Sequence, residues 1–284
     1  MKQNNHVPKP EWLKIKLGDN SNFTKTKHIV EGSHLNTICT SGKCPNLGEC
    51  WGAGTATFMI CGDVCTRACR FCNTKSSKKP PMLDTDEPYK IAMSVKALGL
   101  KHVVITSVDR DDLADFGAVH WRETINKIKE INPDVTLEVL IPDFNGNLDF
   151  VDMIIDTRPN VISHNLETVR RLTPSVRHIA TYENSLKVLG HVAQSGIVTK
   201  TGIMVGLGET EEEVLELMDD IKSINVSVLT IGQYLQPTRR HLPVVEYIHP
   251  KQFARLRTLG IEKGIRRVES GPLVRSSYHA EKHF

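Results

Sequence analysis

Three cysteines spaced C-x3-C-x2-C, at Cys65, Cys69 and Cys72, form the most chemically informative stretch of the chain. Three thiolates on one short loop can hold three corners of a four-iron cube, leaving the fourth iron open to a ligand that is not protein sulfur. A second triplet lies upstream at Cys39, Cys44 and Cys50, spaced C-x4-C-x5-C. It too is one ligand short of a complete cluster, so a further ligand has to come from elsewhere in the chain. Zinc ribbons present pairs of cysteines rather than triplets. A disulfide framework fits poorly with an odd total of seven thiols in a chain of 284 residues that nothing marks for export. All seven lie between Cys39 and Cys72. The seventh, Cys61, reads as a buried strand-end thiol acting as a small hydrophobe rather than as a ligand.

The rest of the composition narrows the setting. With 39% apolar and 24% charged residues the chain can bury a sizeable core, which excludes disorder. No apolar run approaches the roughly 18 residues needed to cross a bilayer. The first thirty residues hold six lysines and two acids with no apolar core, unlike a secretory signal, and the first arginine is Arg67, unlike a transit peptide. A cytoplasmic protein without a membrane partner is therefore expected. A net charge of +3 calls for no nucleic acid and suits an acidic protein partner. No phosphate-binding G-x4-G-K-[ST] and no G-x-S-x-G nucleophile turn occurs, and Asp109 to Asp112 lack the partners of a two-carboxylate hydrolytic site.

The elements that must position the cysteines alternate from residue 55 onward. Strand-like runs at 55–60, 102–106, 136–141, 161–163, 197–205 and 226–231 are separated by amphipathic stretches at 87–98, 119–131, 148–156, 181–194 and 211–224. This repetition predicts an α/β fold, a parallel sheet with outer helices. Periodicity alone leaves a six-unit partial barrel, a full eight-unit barrel and a doubly wound sheet open. In all of them ligands gather at the carboxyl ends of the strands, which is where the 65–72 triplet falls. Thr210 and Glu213 form a capping box, so the acidic run at 211–213 is the first turn of a helix and not a site.

The C-x3-C-x2-C loop, with Phe71 just before its last cysteine, resembles that of the radical S-adenosylmethionine enzymes. The first triplet, written C-x4-C-P-N-x3-C-W and followed by Gly54-Thr-Ala-Thr-Phe-Met-Ile60, resembles the lipoyl synthase family within them. The late run Arg275-Ser-Ser-Tyr-His-Ala280 is similar to the same family's tail. The resemblance implies a partial (β/α)6 TIM-like barrel over 55–270, an amino-terminal extension over 1–54 bearing an auxiliary cluster, and a tail over 271–284. It implies two 4Fe-4S clusters: an auxiliary one on Cys39, Cys44, Cys50 and Ser277, and a radical one on Cys65, Cys69 and Cys72. S-adenosylmethionine would then face Ser107 and Asp109 after the second strand, Asn165 and Glu167 in His164-Asn-Leu-Glu-Thr168 after the fourth, and Lys200, Gly202, Met204 and Gly206 along the fifth. The loop from Gln233 to Pro243 resembles the family's substrate-facing segment. Two departures stand out: the first spacer, usually acidic in bacterial members, is Thr40-Ser-Gly-Lys43, and Cys61 replaces a more usual apolar residue.

An unactivated aliphatic C–H bond offers no acidic proton, so general-base catalysis cannot open it. The resemblance implies instead that a 5′-deoxyadenosyl radical removes hydrogen at C6 and then C8 of an octanoyl chain, and that the auxiliary cluster is consumed as sulfur donor. No catalytic side chain is expected beyond the two clusters. The octanoyl group would ride on a lipoyl carrier, either an E2 lipoyl domain or the glycine-cleavage H protein. Ferredoxin or flavodoxin would supply the electrons. Basic segments at 9–27, 67–79 and 251–267 suit an acidic carrier. The rival readings are another two-cluster radical enzyme, such as a tRNA methylthiotransferase, and an iron–sulfur electron carrier or zinc-binding module.

Overall fold

The computed structural model describes residues 8–14, 20–53, 55–278 and 280. Its ten strands are β1 (Asn36–Thr37), β2 (Thr57–Ile60), β3 (Val64–Cys65), β4 (Lys75–Ser76), β5 (His102–Ser107), β6 (Thr136–Leu140), β7 (Val161–Ser163), β8 (Val198–Val205), β9 (Val228–Gln233) and β10 (Arg267–Gly271). Eight of them form one sheet in the order β1-β2-β5-β6-β7-β8-β9-β10. Every neighbouring pair is parallel except β1 with β2, where Thr37 lies opposite Phe58. The sheet curls into a barrel left open between β10 and the β1–β2 edge, as the repeated strand–helix pattern and the family resemblance lead one to expect. β10 adds a seventh parallel strand that the sequence reading lacked. The small β3–β4 ladder closes the cysteine loop on itself.

The helices are α1 (Asn20–Gly32), α2 (Ile38–Ser41), α3 (Leu47–Gly52), α4 (Glu87–Leu98), α5 (Ala118–Ile131), α6 (Leu148–Ile155), α7 (Thr173–Val176), α8 (Tyr182–Gln194), α9 (Glu211–Ser223) and α10 (Pro250–Glu262). The five expected helices fall within a residue or so of their bounds, because each carries an apolar stripe at helical spacing: Ile125 and Ile128 on α5, Val188 and Val192 on α8, Leu217 and Ile221 on α9, all buried. The Thr210–Glu213 capping box forms as expected. Part of the amino-terminal extension is α1, which packs on α3 and α4, with Phe23 and Trp51 rings 5.5 Å apart.

The apolar core fills the layer between sheet and helices, whereas the barrel interior is polar. Lys200 on β8 is wholly buried there, its ammonium 2.7 Å from Glu138 Oε1 on β6, and the Ser163 hydroxyl on β7 donates to the same oxygen at 2.7 Å. Glu138 Oε2 is buried with no partner. Burial pushes the Lys200 pKa down, and the Glu138 carboxylate opposes the shift. A lone charge in such a place is costly, while a matched pair is tolerated. Lys200→Met strands Glu138 and should lower the unfolding free energy by about 3–5 kcal/mol, read from urea denaturation. A loss below about 1 kcal/mol would mean that water already solvates the pair.

Candidate functional site

The second triplet and the expected residues Ser107, Asp109, Asn165, Glu167 and Gly206 lie at or just beyond the carboxyl ends of barrel strands, whereas the cavity of the first triplet borders the amino ends of β2 and β5. The loop after β2 begins with a left-handed turn at Cys61 (φ 66°) and Gly62 (φ 91°). That turn is held from outside the barrel. Glu87 Oε2 accepts from the Cys61 backbone N–H at 2.8 Å and contacts His120 Nε2 at 2.7 Å, while Arg110 Nη1 donates to the Cys61 carbonyl at 3.2 Å. The Cys61 thiol is 2% exposed, within the apolar core, and burial raises its pKa, the carboxylate of Glu87 adding to the shift. It is the packing residue the sequence suggested.

Beyond the turn, Cys65, Cys69 and Cys72 come together as free, partly buried thiols close enough to raise one another's pKa. Burial is the main cause of elevation, carrying Cys65 to about 12 and Cys69 to about 11. The loop's geometry depends on Arg67, between the first two cysteines and only 3% exposed. Its guanidinium grips Asp111 through Nε and Nη2 (3.0 and 2.8 Å), reaches Asp143 Oδ1 at 2.8 Å and stands 3.4 Å from Asp109. Burial alone would raise the Asp143 carboxyl, but the Arg67 hydrogen bond and charge hold it at about 2. Arg67 therefore leaves the basic surface in which its sequence neighbourhood had placed it, and Asp143 is a site residue that sequence reasoning missed. The expected cofactor contact Asp109 is drawn toward the loop: its carboxylate is 3.7 Å from Cys65 Sγ, and its backbone N–H points to the same sulfur at 3.4 Å.

Across the mouth, Glu167 holds a left-handed backbone (φ 68°), a conformation costly for a residue with a side chain. Its N–H bonds to the Gly202 carbonyl and its carbonyl accepts from Met204, fixing it over β8. Asn165 Nδ2 donates to its carboxylate at 3.1 Å. Gly202 is glycine for a spatial reason: a Cβ there would lie 2.5 Å from Thr230 Oγ1 and 2.9 Å from both Asn165 Oδ1 and Ser276 Oγ. Met204 and Phe71 of the cysteine loop both pack against the buried Val176, Leu207 and Tyr234. Gly206 turns the chain at φ 96°. Arg177, also missed, donates to the Asn165 carbonyl at 3.1 Å and its charge is felt by Glu167 and Cys69, while its Nε is buried without a partner among the described residues. Its only signal in the sequence was a basic residue following the Asn-x-Glu turn. Two expected contacts find other partners: Ser107 accepts from Trp121 Nε1 of α5 at 3.2 Å, and Lys200 pairs with Glu138 below. The Gln233–Pro243 loop clasps the cysteine loop, His241 Nε2 meeting the Cys72 carbonyl at 2.9 Å.

The first triplet occupies a separate cavity of about 570 Å³, and its lining includes Cys39, Cys44 and Cys50 together with Arg275, Ser277 and Tyr278 from the far end of the chain. Thr37 caps the turn that presents Cys39. The tail is tied down by Asn46 Nδ2, which donates to the Leu273 carbonyl at 2.8 Å, and by Tyr278 OH, which donates to Glu49 at 2.9 Å. Burial raises all three thiols, Cys50 to about 12. His279, within the tail motif, lies outside the described residues. Among the described residues no three His, Cys, Asp or Glu side chains close around a single ion, which in a tetrahedral zinc thiolate needs sulfurs about 3.8 Å apart. Three thiols and a hydroxyl around one roomy cavity suit a multi-iron cluster. The second triplet, with the unpartnered Arg177 Nε and the Asn165–Glu167 pair nearby, suits a cluster with an anionic, hydroxyl-bearing ligand on its open iron.

The radical SAM superfamily profile matches residues 59–221, more than half of the chain. Solved structures share the architecture at low identity: methylornithine synthase PylB at 13% identity and TM-score 0.56, over 92% of this chain and 86% of that one, and Streptococcus suis SuiB bound to precursor peptide SuiA at 12% and 0.59, over 75% and 48%. Barrel and cysteine loop together make this a radical SAM protein. Lipoyl synthases from Porphyromonas gingivalis, Parabacteroides distasonis and Bacteroides fragilis are 68, 63 and 59% identical over 98% or more of this chain and 98% or more of their own lengths. The chain belongs to the lipoyl synthase family.

Two outcomes follow from this geometry. Arg67→Met leaves three carboxylates facing one another and should cost about 3 kcal/mol or more and reduce iron uptake by the loop, whereas Arg67→Lys recovers part of both; unchanged urea stability would refute the bridging role. His164, 2% exposed between the Ile141 carbonyl and Ser185, is held at a pKa of about 4, chiefly by burial. The unfolded chain takes up this proton near pH 6.5 and the folded one only near 4, so the stabilisation is complete above 6.5 and is lost as pH falls, at about 1.4 kcal/mol per unit. His164→Asn should flatten the fall in urea stability between pH 6.5 and 4.5.

Proposed function

We propose that this chain is a lipoyl synthase that inserts two sulfur atoms, at C6 and C8, into a protein-bound octanoyl group. The observation that carries the two-site form of this reading is the meeting of Cys39, Cys44 and Cys50 with Ser277, residues from opposite ends of the chain, around one cavity. In this reading Cys65, Cys69 and Cys72 hold the radical cluster, and Cys39, Cys44, Cys50 and Ser277 hold the auxiliary one. With both clusters and S-adenosylmethionine bound, the protein has a source of a 5′-deoxyadenosyl radical able to take hydrogen from an unactivated carbon, and a store of sulfide to replace it.

The side chains supply placement. Arg177 offers a free N–H to the cofactor's carboxylate, Asn165 serves its methionine portion, and Glu167 accepts from the ribose hydroxyls. The backbone of Gly202 and Gly206 and the side chain of Met204 serve the adenine portion, and Asp109 lines the approach to Cys65. Phe71, Met204, Tyr234 and Leu242 form an apolar group beside the cysteine loop that keeps water from this side of the site. Substrate reaches the space between the two cysteine groups, which Asn73 already bridges by donating to the Ser41 carbonyl at 2.8 Å.

The carrier is an E2 lipoyl domain or the glycine-cleavage H protein, with ferredoxin or flavodoxin as reductant, in the reducing cytoplasm. Exposed Lys78 and Lys79 after β4, with Met82 beside them, offer a basic and apolar surface to an acidic carrier. No helix among the described residues is long and apolar enough to cross a membrane.

Replacing Cys39, Cys44 and Cys50 together by alanine should lower iron from about eight to about four atoms per chain. Reductive cleavage of S-adenosylmethionine should survive while octanoyl-carrier thiolation, followed by product mass, disappears. Loss of both activities in a protein that keeps its four irons would overturn the division of labour.

A further inference from the structure

The turn after β10 carries a cation with no carboxylate ion pair among the described residues. Arg275 stands two residues before Ser277 and lines the same cavity. Its one hydrogen bond among the described residues runs from Nη1 to the Val274 carbonyl, at 2.6 Å. The cations wholly buried in the barrel have carboxylates: Arg67 has Asp111 and Asp143, Arg110 has Asp112, and Lys200 has Glu138. For Arg275 the group that feels the charge is the Cys44 thiol. The guanidinium is a half-buried cation, and a sheltered cation without a counter-ion is costly.

The fold also gives up packing to seat it. At Gly232, next to last in β9, a Cβ would lie 2.1 Å from the Val274 carbonyl oxygen and 3.1 Å from Arg275 Nη1. The strand therefore yields a side chain so that this turn can settle on it. Lys25 and Lys101 also line the cavity, but both are exposed to water, where their charge is screened. Glu49, the acid in the lining, accepts from Tyr278. Arg275, half-buried, is thus the most sheltered arginine or lysine in a chamber lined by three thiols and a hydroxyl, all of which become anionic when they bind iron.

We propose that Arg275 is the counter-charge of the auxiliary cluster, a positioning residue that stabilises the anionic sulfide and thiolate group in this cavity and keeps the Ser277 turn against it. The inference rests on the auxiliary cluster occupying the cavity. Loss of a charge-assisted contact of this kind is worth a factor of about ten or more.

The test uses full-length protein reconstituted anaerobically with iron and sulfide, and follows total iron and the rate at which a ferrous chelator removes it. Wild-type protein should hold about eight irons per chain. Arg275→Met should keep about four firmly and release the rest about tenfold faster or more, while Arg275→Lys, which restores the charge without the fork, should fall within about threefold of wild type. Circular dichroism and urea unfolding establish that each variant is folded. Should the methionine variant fail to fold, a folded Arg275→Lys variant that loses about half its iron about tenfold faster than wild type refutes the charge role. Eight irons released from Arg275→Met at the wild-type rate overturns the proposal while leaving the auxiliary cluster in place. About four irons in the wild type removes the auxiliary-cluster reading itself, and this inference with it.

Discussion

One guanidinium, that of Arg67, joins the cysteine loop to two separate barrel strands. The loop belongs to β2, while the carboxylates that hold it come from the segments after β5 and β6. Asp109, Asp111 and Asp143 would repel one another in this enclosed space, and a single buried cation turns that repulsion into a clamp. Thr66 reinforces it, bonding to the Asp109 carbonyl and the Asp111 carboxylate on either side. Three thiols must hold fixed positions relative to the barrel mouth, and a loop supported only by its own β3–β4 ladder would leave them free to swing. The clamp makes cysteine loop and barrel one rigid unit, so that Glu167 and Arg177 across the mouth face a defined partner.

The opposite side of the mouth is organised by the tail. Consecutive residues there serve different sites: the Ser276 hydroxyl donates to Asn165 Oδ1 at 3.1 Å, while Arg275 and Ser277 line the auxiliary cavity. The open side of the barrel makes this possible. β10 ends the sheet without pairing to the β1–β2 edge, and the chain beyond it turns over the mouth, where Asn46 receives it through the Leu273 carbonyl. A fully closed barrel would spend this edge on strand pairing and leave no short path from one cysteine group to the other.

Much of this was legible in the sequence because the relevant physics is local. Periodicity found β5 to β9 and their helices, and cysteine spacing picked out the two groups of thiols that the fold gathers. What escaped has physical reasons. β10, Arg267-Val-Glu-Ser-Gly271, has one apolar side chain buried and polar ones facing the barrel interior and rim, so it shows no strand-like run. α10 hides its stripe of Phe253 and Leu256 among lysines and arginines, and the segment looked merely basic. Arg67 could not be told from a surface arginine, since its burial depends on acids that lie 42 to 76 positions away and converge only in the fold. Ser107 and Lys200 carried the right chemistry for a cofactor contact, but a strand alternates its faces and neighbours, and Trp121 and Glu138 compete for them.

The distance along the chain between Cys50 and Ser277 sets an order of events during biosynthesis. The thiols of both triplets emerge early, and the cysteine loop can be clamped once Asp143 has followed. The auxiliary cavity has no complete lining until more than 200 further residues have been made and folded back onto Asn46. Closing so long a loop is slow even though its entropic cost grows only weakly with length. During that interval the three upstream thiols lack the Ser277 hydroxyl and Arg275 that share their cavity. The two thiol groups are thus completed in a fixed order, the 65–72 loop from a partly made barrel and the cavity of the first triplet last.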